Sequence, residues 1–131
     1  MNERFVDKFN VPLSIWKEAI IEIGGLLRRY AKVGRTIDYT TLCKLTRAIR
    51  LEPDEQMFRE ILGEIGEAEV RDKRPVITSI VTQRSGTREP GSGFFVYHLK
   101  RLQKIDREVG GRRVNWSLKN LQDEVFEFKY S

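Results

Sequence analysis

Residues 76–82 form the one run in this sequence with a strong preference for extended structure. The run reads VITSIVT, which is apolar or β-branched at nearly every position, and such residues favour strands that helices cover on at least one side. Residues 83–93 follow with the turn-forming pairs Ser-Gly and Pro-Gly and with no large apolar side chain. The sequence therefore predicts a buried strand that leads into a long exposed loop.

A helix is expected after this loop. Ser92 can cap it, and Phe95, Leu99, Leu102 and Ile105 recur at helical spacing as its inner side. An alternative is that residues 94–97 pair as a second strand before the helix begins.

Elsewhere the apolar residues recur at helical spacing, so the sheet must be small. The predicted helices cover residues 15–30, a short stretch from Tyr39 that Asp38 or Thr36 caps, residues 54–69 and a last segment that Asn115 or Ser117 caps. We expect a mainly helical α+β single domain with a small β-sheet, spanning residues 1–131, with residues 1–12 as a flexible N-terminal segment.

Charge is unevenly distributed along the chain. The net charge is +5, but residues 1–50 carry +5, residues 51–72 carry −6 and residues 73–119 carry +8. If the two basic segments share a face, that face attracts polyanions.

Several classes of protein are disfavoured by composition. There is no run of about 18 apolar residues that could span a membrane, and the N-terminus lacks the apolar core of a signal peptide. With one cysteine, Cys43, and one histidine, His98, the chain lacks the four ligands of a structural zinc site. We expect a cytoplasmic protein with no metal, no cofactor and no membrane partner. His98 is expected to be a partly buried packing residue and Cys43 an inert core residue.

A set of carboxylates allows one enzymatic alternative. Glu67, Glu69 and Asp72 are close in sequence and precede the strand, as the carboxylates of a small metal-dependent nuclease do. Since Glu67 and Glu69 do not face each other on a helix, we favour a solvated acidic helix face instead.

The strongest constellation combines the short second helix with the loop. A polar and basic helix face suits phosphate and groove contacts, and a basic loop beside it can act as a wing. The predicted nucleic-acid-binding residues are Tyr39, Thr40, Thr41, Lys44, Arg47, Lys73, Arg74, Gln83, Arg84 and Arg88.

This layout resembles the winged-helix C-terminal domain of DNA alkylguanine alkyltransferases and of alkyltransferase-like proteins. Gly34, Tyr39 and Leu42 match the family's segment G-x-x-x-x-Y-x-x-L at the start of its helix-turn-helix, and Cys43 stands where an alanine is usual. The resemblance covers roughly residues 15–100 and implies a winged-helix-like fold that grips DNA through the helix from Tyr39 and through the wing. The family's catalytic Pro-Cys-His-Arg is absent, so alkyl transfer is not implied.

The sequence thus predicts a non-enzymatic protein that binds nucleic acid, with duplex DNA favoured. Two alternatives remain open. One is a protein–protein interaction module or homodimer in which acidic and basic faces meet, and the other is the small metal-dependent nuclease.

Overall fold

The computed structural model describes residues 5–6, 9–83 and 89–130, with only the backbone described for Phe5 and Val6. The predicted fold class is confirmed, because 63% of the chain is helical and the β-structure is limited to short strand pairs. Arg84 and Arg88 lie outside the described residues.

The elements follow one another in a simple order. They are β1 (Phe5–Val6), β2 (Val11–Pro12), α1 (Leu13–Lys32), β3 (Ile37–Asp38), α2 (Tyr39–Leu45), α3 (Gln56–Arg71), β4 (Val81–Thr82), α4 (Leu99–Glu108) and α5 (Leu118–Glu127). A 3-10 helix at Ile77–Ile80 precedes β4, and a π-helical turn at Phe94–His98 leads into α4.

The first helix extends two residues beyond its predicted bounds at each end. Pro12 precedes the first turn of α1, where its fixed φ suits a helix start. Gly34 follows the last turn with φ +70 and donates its N–H to Ala31 O at 3.1 Å, which is the left-handed conformation that glycine adopts most readily.

The second helix is short because polar side chains close both of its ends. The Asp38 carboxylate accepts the N–H of Thr41 at 2.8 Å, as an N-cap does. At the other end, the hydroxyl of Thr46 donates to Leu42 O at 2.8 Å, and the backbone there turns extended. The face of α2 that carries Thr40 and Lys44 is thereby held at a fixed angle to the core.

The predicted strand over residues 76–82 is wrong for most of its length. Ile77–Ile80 forms a 3-10 helix and only Val81–Thr82 is a strand. All seven residues of the run are buried, because α1, α3 and α5 surround it. A run that is apolar on every face reports burial and does not by itself distinguish a strand from a helix.

The parallel pair of β3 and β4 positions the candidate site. Ile37 pairs with Val81, and Asp38 pairs with Thr82. Since the carboxyl ends of parallel strands lie at the same edge, α2 and the loop after Gln83 begin side by side.

A π-helical turn changes the inner face predicted for the fourth helix. Phe94 is 7% exposed and Phe95 is 38% exposed, so the prediction of Phe95 as a core residue is wrong, as is the alternative of a strand at residues 94–97. A π-helical turn holds more residues than an α-helical one, and the side chain that reaches the core therefore comes one position earlier. Leu102 and Ile105 are fully buried as predicted.

Because Gly66 has no side chain, the ring of His98 can pack directly against α3 at this position. A Cβ built on Gly66 would lie 2.6 Å from both Cε1 and Nε2 of that ring, and 3.2 Å from Thr78 Oγ1. The glycine therefore allows α3 and the π-helical turn to approach closely.

We expect Gly66→Ala to destabilise the protein by about 2 kcal/mol, since overpacking a fitted core typically costs about 1–3 kcal/mol. Urea unfolding followed by circular dichroism measures this change. Gly63→Ala is the matched control, because nothing lies within 4 Å of a Cβ at Gly63 and alanine has the higher helix propensity. If the Gly66 variant is as stable as the Gly63 variant, the close approach of His98 is not a packing constraint.

Candidate nucleic-acid interface

The basic face of α2 borders a groove of about 460 Å³ that lies between the helix and residues 46–53. Thr40, Lys44, Arg47 and Arg50 line it. Lys44 and Arg47 are exposed and form no ion pair with the residues that the structure describes. The Arg50 side chain is 94% exposed, and its Nε lies 3.7 Å from Glu52 Oε1. An ion pair this long and this exposed contributes little to stability.

Glu22 of α1 fixes the turn that carries Arg47. Its carboxylate accepts the backbone N–H of Arg47 at 2.8 Å and that of Ala48 at 2.9 Å. The acidic side chain is occupied by backbone donors, so the Arg47 guanidinium stays directed to solvent. The backbone beneath these cations is thus ordered, which lowers the entropy lost when they bind an anion.

Two of the predicted binding residues have structural tasks. The Thr41 hydroxyl donates to Asp38 Oδ2 at 2.8 Å, and the Tyr39 hydroxyl accepts the N–H of Gly91 at 2.9 Å. The Tyr39 ring also meets Phe58 edge-on, with the ring centroids 6.1 Å apart. Tyr39 therefore ties the start of α2 to the far end of the loop.

Gln83 stands at the base of the loop. It is exposed, and its N–H donates to Glu89 O at 2.9 Å, which holds these two residues together. Together with the Tyr39–Gly91 bond, this holds both ends of the loop beside α2. The predicted pairing of α2 with the loop is thus compatible with the geometry of the residues on either side.

Lys73 and Arg74 lie elsewhere. Phe58, which contacts Tyr39, and Arg71 at the end of α3 are separated by about 20 Å of helix at 1.5 Å per residue. Arg74 is engaged by two carboxylates, with its Nε 2.8 Å from Glu69 Oε2 and an Nη 3.1 Å from Asp72. Lys73 is exposed at φ +59. This pair does not extend the cationic face of α2.

The solvated acidic face predicted for α3 is wrong at one of its residues, whereas Glu64 is exposed as predicted. Glu69 is 4% exposed and is bound by Arg74, so its assignment to the outer face is wrong. Glu67 pairs with Arg101 at 3.2 Å, and Glu64 accepts the indole N–H of Trp16 at 3.0 Å. Within the described residues no three acidic, histidine or cysteine side chains converge on a point where a metal ion could sit.

His98 and Cys43 lie in apolar surroundings, as predicted. Burial lowers the pKa of His98 to about 4, and its Nε2 is hydrogen-bonded to Thr78 Oγ1 at 2.8 Å. Burial, with Glu52 and Glu55 nearby, raises the pKa of the Cys43 thiol to about 12. A neutral thiol and an imidazole with so low a basicity are poorly suited to nucleophilic chemistry at neutral pH.

Sequence reasoning missed a second groove, of about 750 Å³, between α3 and residues 91–98. Its lining includes Thr78, Val81, Phe94, Tyr97 and His98. These residues come from two separate segments, and no local pattern connects them.

Comparison with known proteins found no relative of this chain. Neither the protein-family models, nor the curated proteins, nor the solved structures gave a match to this chain. None of the helices in the described part of the chain is long and apolar enough to cross a membrane.

Proposed function

We propose that this protein binds nucleic acid without cleaving it, and that its preferred ligand is duplex DNA. The contact surface consists of α2, its following turn and the loop after β4. Lys44, Arg47 and Arg50 hold backbone phosphates, and Thr40 lies beside them. Gln83 and the loop arginines Arg84 and Arg88 contact the adjacent backbone.

The observation that carries the proposal is the set of three exposed cations on one short helix and its turn. The side chains of Lys44 and Arg47 form no ion pair with the described residues, and the Arg50 contact is solvent-exposed. Cations that are not neutralised within the protein keep their full attraction for phosphates. Carboxylates on α3, by contrast, are largely engaged inside the chain.

The dimensions of α2 agree with the proposal. Its seven residues make a rod about 10 Å long at 1.5 Å per residue, and a duplex major groove about 12 Å wide admits a helix. The loop begins at the same edge as α2 because β3 and β4 are parallel. A wing in this position reaches the backbone beside the groove that the helix occupies.

The acidic-face alternative has less support. Glu67, Glu69 and Asp72 each lie within ion-pair distance of an arginine of the same chain. Carboxylates that are paired within the chain offer less charge to a basic partner.

Replacing Lys44 and Arg47 by glutamine tests the proposal. At about 0.1 M salt we expect the double variant to lose 10- to 100-fold in duplex affinity, because each phosphate contact contributes close to one power of salt concentration. The log–log salt slope should become shallower by about two. Fluorescence anisotropy with a labelled duplex measures both quantities.

The matched control is Lys17→Gln with Lys32→Gln, which removes the same charge from two exposed positions on α1. We expect its salt slope to equal that of the wild type. Equal losses for the two double variants would mean that net charge alone governs binding and that α2 is not the interface.

A further inference from the structure

An exposed tyrosine begins a stripe of cations along the helix that follows the loop. Lys100, Lys104 and Arg107 are spaced by four and three residues, which places them on one side of α4, and Tyr97 stands before them in the π-helical turn. All four residues are exposed, and Tyr97 is 77% exposed.

The three cations of this stripe have no ion-pair partner among the described residues. The neighbouring Arg101 differs, because it is held by Glu67 at 3.2 Å. Asp106 faces inward and is 7% exposed. The one exposed carboxylate of α4 is Glu108 at its last position, so the α4 part of the stripe is cationic, whereas Glu60, Glu64 and Glu67 of α3 line the groove at its Tyr97 end.

The cations of the stripe lie away from the interface on α2. Val70, in the last turn of α3, packs in the same buried cluster as Leu102 and Ile105 of α4, whereas Phe58, near the start of α3, meets Tyr39. Phe58 and Val70 are about 18 Å apart along the helix. The Tyr97 end of the stripe lines the larger groove, which Tyr39 and Gln83 also line, and the cations lie further along α4.

We infer that this stripe is a second nucleic-acid surface and that its ligand is a single strand. An unpaired base stacks on the ring of Tyr97, and the backbone phosphates lie along Lys100, Lys104 and Arg107. Bases in a duplex are stacked on one another and are not free to lie on an aromatic side chain, whereas single strands combine aromatic stacking with a cationic track. The tyrosine is what favours a single strand over a duplex at this surface.

This inference does not rest on the function proposed for α2. The experiment uses anisotropy with two ligands, a labelled oligothymidylate of about ten nucleotides and a labelled duplex, on the full chain. Tyr97→Ala is expected to weaken oligothymidylate binding roughly 5- to 100-fold, because base–aromatic stacking contributes that much per base. Tyr97→Phe keeps the ring and should bind within about twofold of the wild type. Duplex affinity should be the same for both variants.

A second pair of variants separates the two surfaces. Lys100→Gln with Lys104→Gln should lower oligothymidylate affinity, and Lys44→Gln with Arg47→Gln should leave it nearly unchanged. Tyr97-dependent oligothymidylate binding would support the inference even if no duplex bound, in which case the function proposed for α2 alone would fail.

Three results would overturn the inference. One is wild-type affinity for oligothymidylate in Tyr97→Ala. Another is an equal loss of single-strand affinity in the α2 and α4 charge variants, which would indicate one shared surface. The third is equal displacement of the oligonucleotide by polyglutamate from the wild type and from Tyr97→Ala. Equal displacement would indicate a surface that binds any polyanion.

Discussion

Lowering the pH from 7 to 4 is expected to remove about 3 kcal/mol of folding stability through His98 alone. The ring lies between Phe94, at a centroid distance of 5.6 Å, and the backbone of α3 at Gly66. Burial there lowers its pKa from 6.5 to about 4, because the charged imidazolium loses its hydration.

The direction of the effect follows from where the proton binds. Between pH 6.5 and pH 4 the unfolded chain takes up a proton on His98 that the folded protein excludes, so stability falls as the pH falls. The contribution is fully present above the unfolded pKa and is lost as the pH approaches the folded one. A difference of 2.5 between the two pKa values corresponds to about 3 kcal/mol at 1.36 kcal/mol per unit.

His98→Gln supplies the control, because glutamine does not titrate and retains a polar group that can reach Thr78. We expect the wild type to lose about 3 kcal/mol more than the variant in urea unfolding between pH 7 and pH 4. Since His98 is the one histidine of the chain, its NMR titration needs no assignment by mutation. Parallel stability profiles, or an NMR pKa near 6.5, would contradict the buried neutral ring.

The second large effect is expected for Arg74→Gln, which should destabilise the protein by about 3 kcal/mol. Glu69 is buried, with its side chain 6% exposed, and Arg74 binds both of its oxygens, through Nε at 2.8 Å and Nη2 at 3.2 Å. Removing one partner of such a pair leaves a charge without compensation in the interior, which costs about 3–5 kcal/mol. We take the lower end because the Arg74 side chain is 41% exposed and Arg28 remains 4.0 Å from Glu69.

Denaturant unfolding at pH 7 measures this loss, with Arg71→Gln as the matched control. Arg71 is exposed near the same end of α3, and substitutions at such positions change stability by less than about 0.5 kcal/mol. Replacing both Glu69 and Arg74 by glutamine should recover part of the loss, since no buried charge is then unpaired. Equal stabilities for the Arg74 and Arg71 single variants would show that the pair with Glu69 contributes nothing.

Local chemistry was sufficient to predict the starts of two helices. Asp38 before α2 and Ser117 before α5 were among the predicted caps, and each accepts a backbone N–H three residues later, so their effects can be inferred from sequence. The same holds for the short length of α2, which follows from the residues at its two ends. α2 and its following turn carry the proposed interface, of which Lys44 and Arg47 were predicted from the sequence and Arg50 was not.

Features that depend on distant contacts were not predictable in the same way. The run at residues 76–82 is buried by three helices, and its 3-10 conformation is set by their packing. Glu69 was assigned to solvent because its helix face is acidic, but Arg74 folds back onto it after the helix ends. The closeness of Gly66 to His98 joins residues that are far apart in sequence, and the π-helical turn that brings His98 there has no simple sequence pattern.

The resemblance to the alkyltransferase layout remains a prediction. It rests on element order and on residues such as Gly34 and Tyr39. Gly34 and Tyr39 have clear local reasons for their identity, in the helix C-terminus and in the bond to Gly91. Those reasons hold for any protein with this local structure and do not establish descent from a common family.

The salt dependence of wild-type binding to duplex DNA tests the central claim most directly. Lys44, Arg47, Arg50, Arg84 and Arg88 are the cations proposed to meet phosphates, and five contacts predict a log–log slope of about −4.5 at 0.9 per phosphate. The account predicts this steep slope together with uncleaved DNA when magnesium is present. A slope near zero, or no binding at low salt, would contradict it.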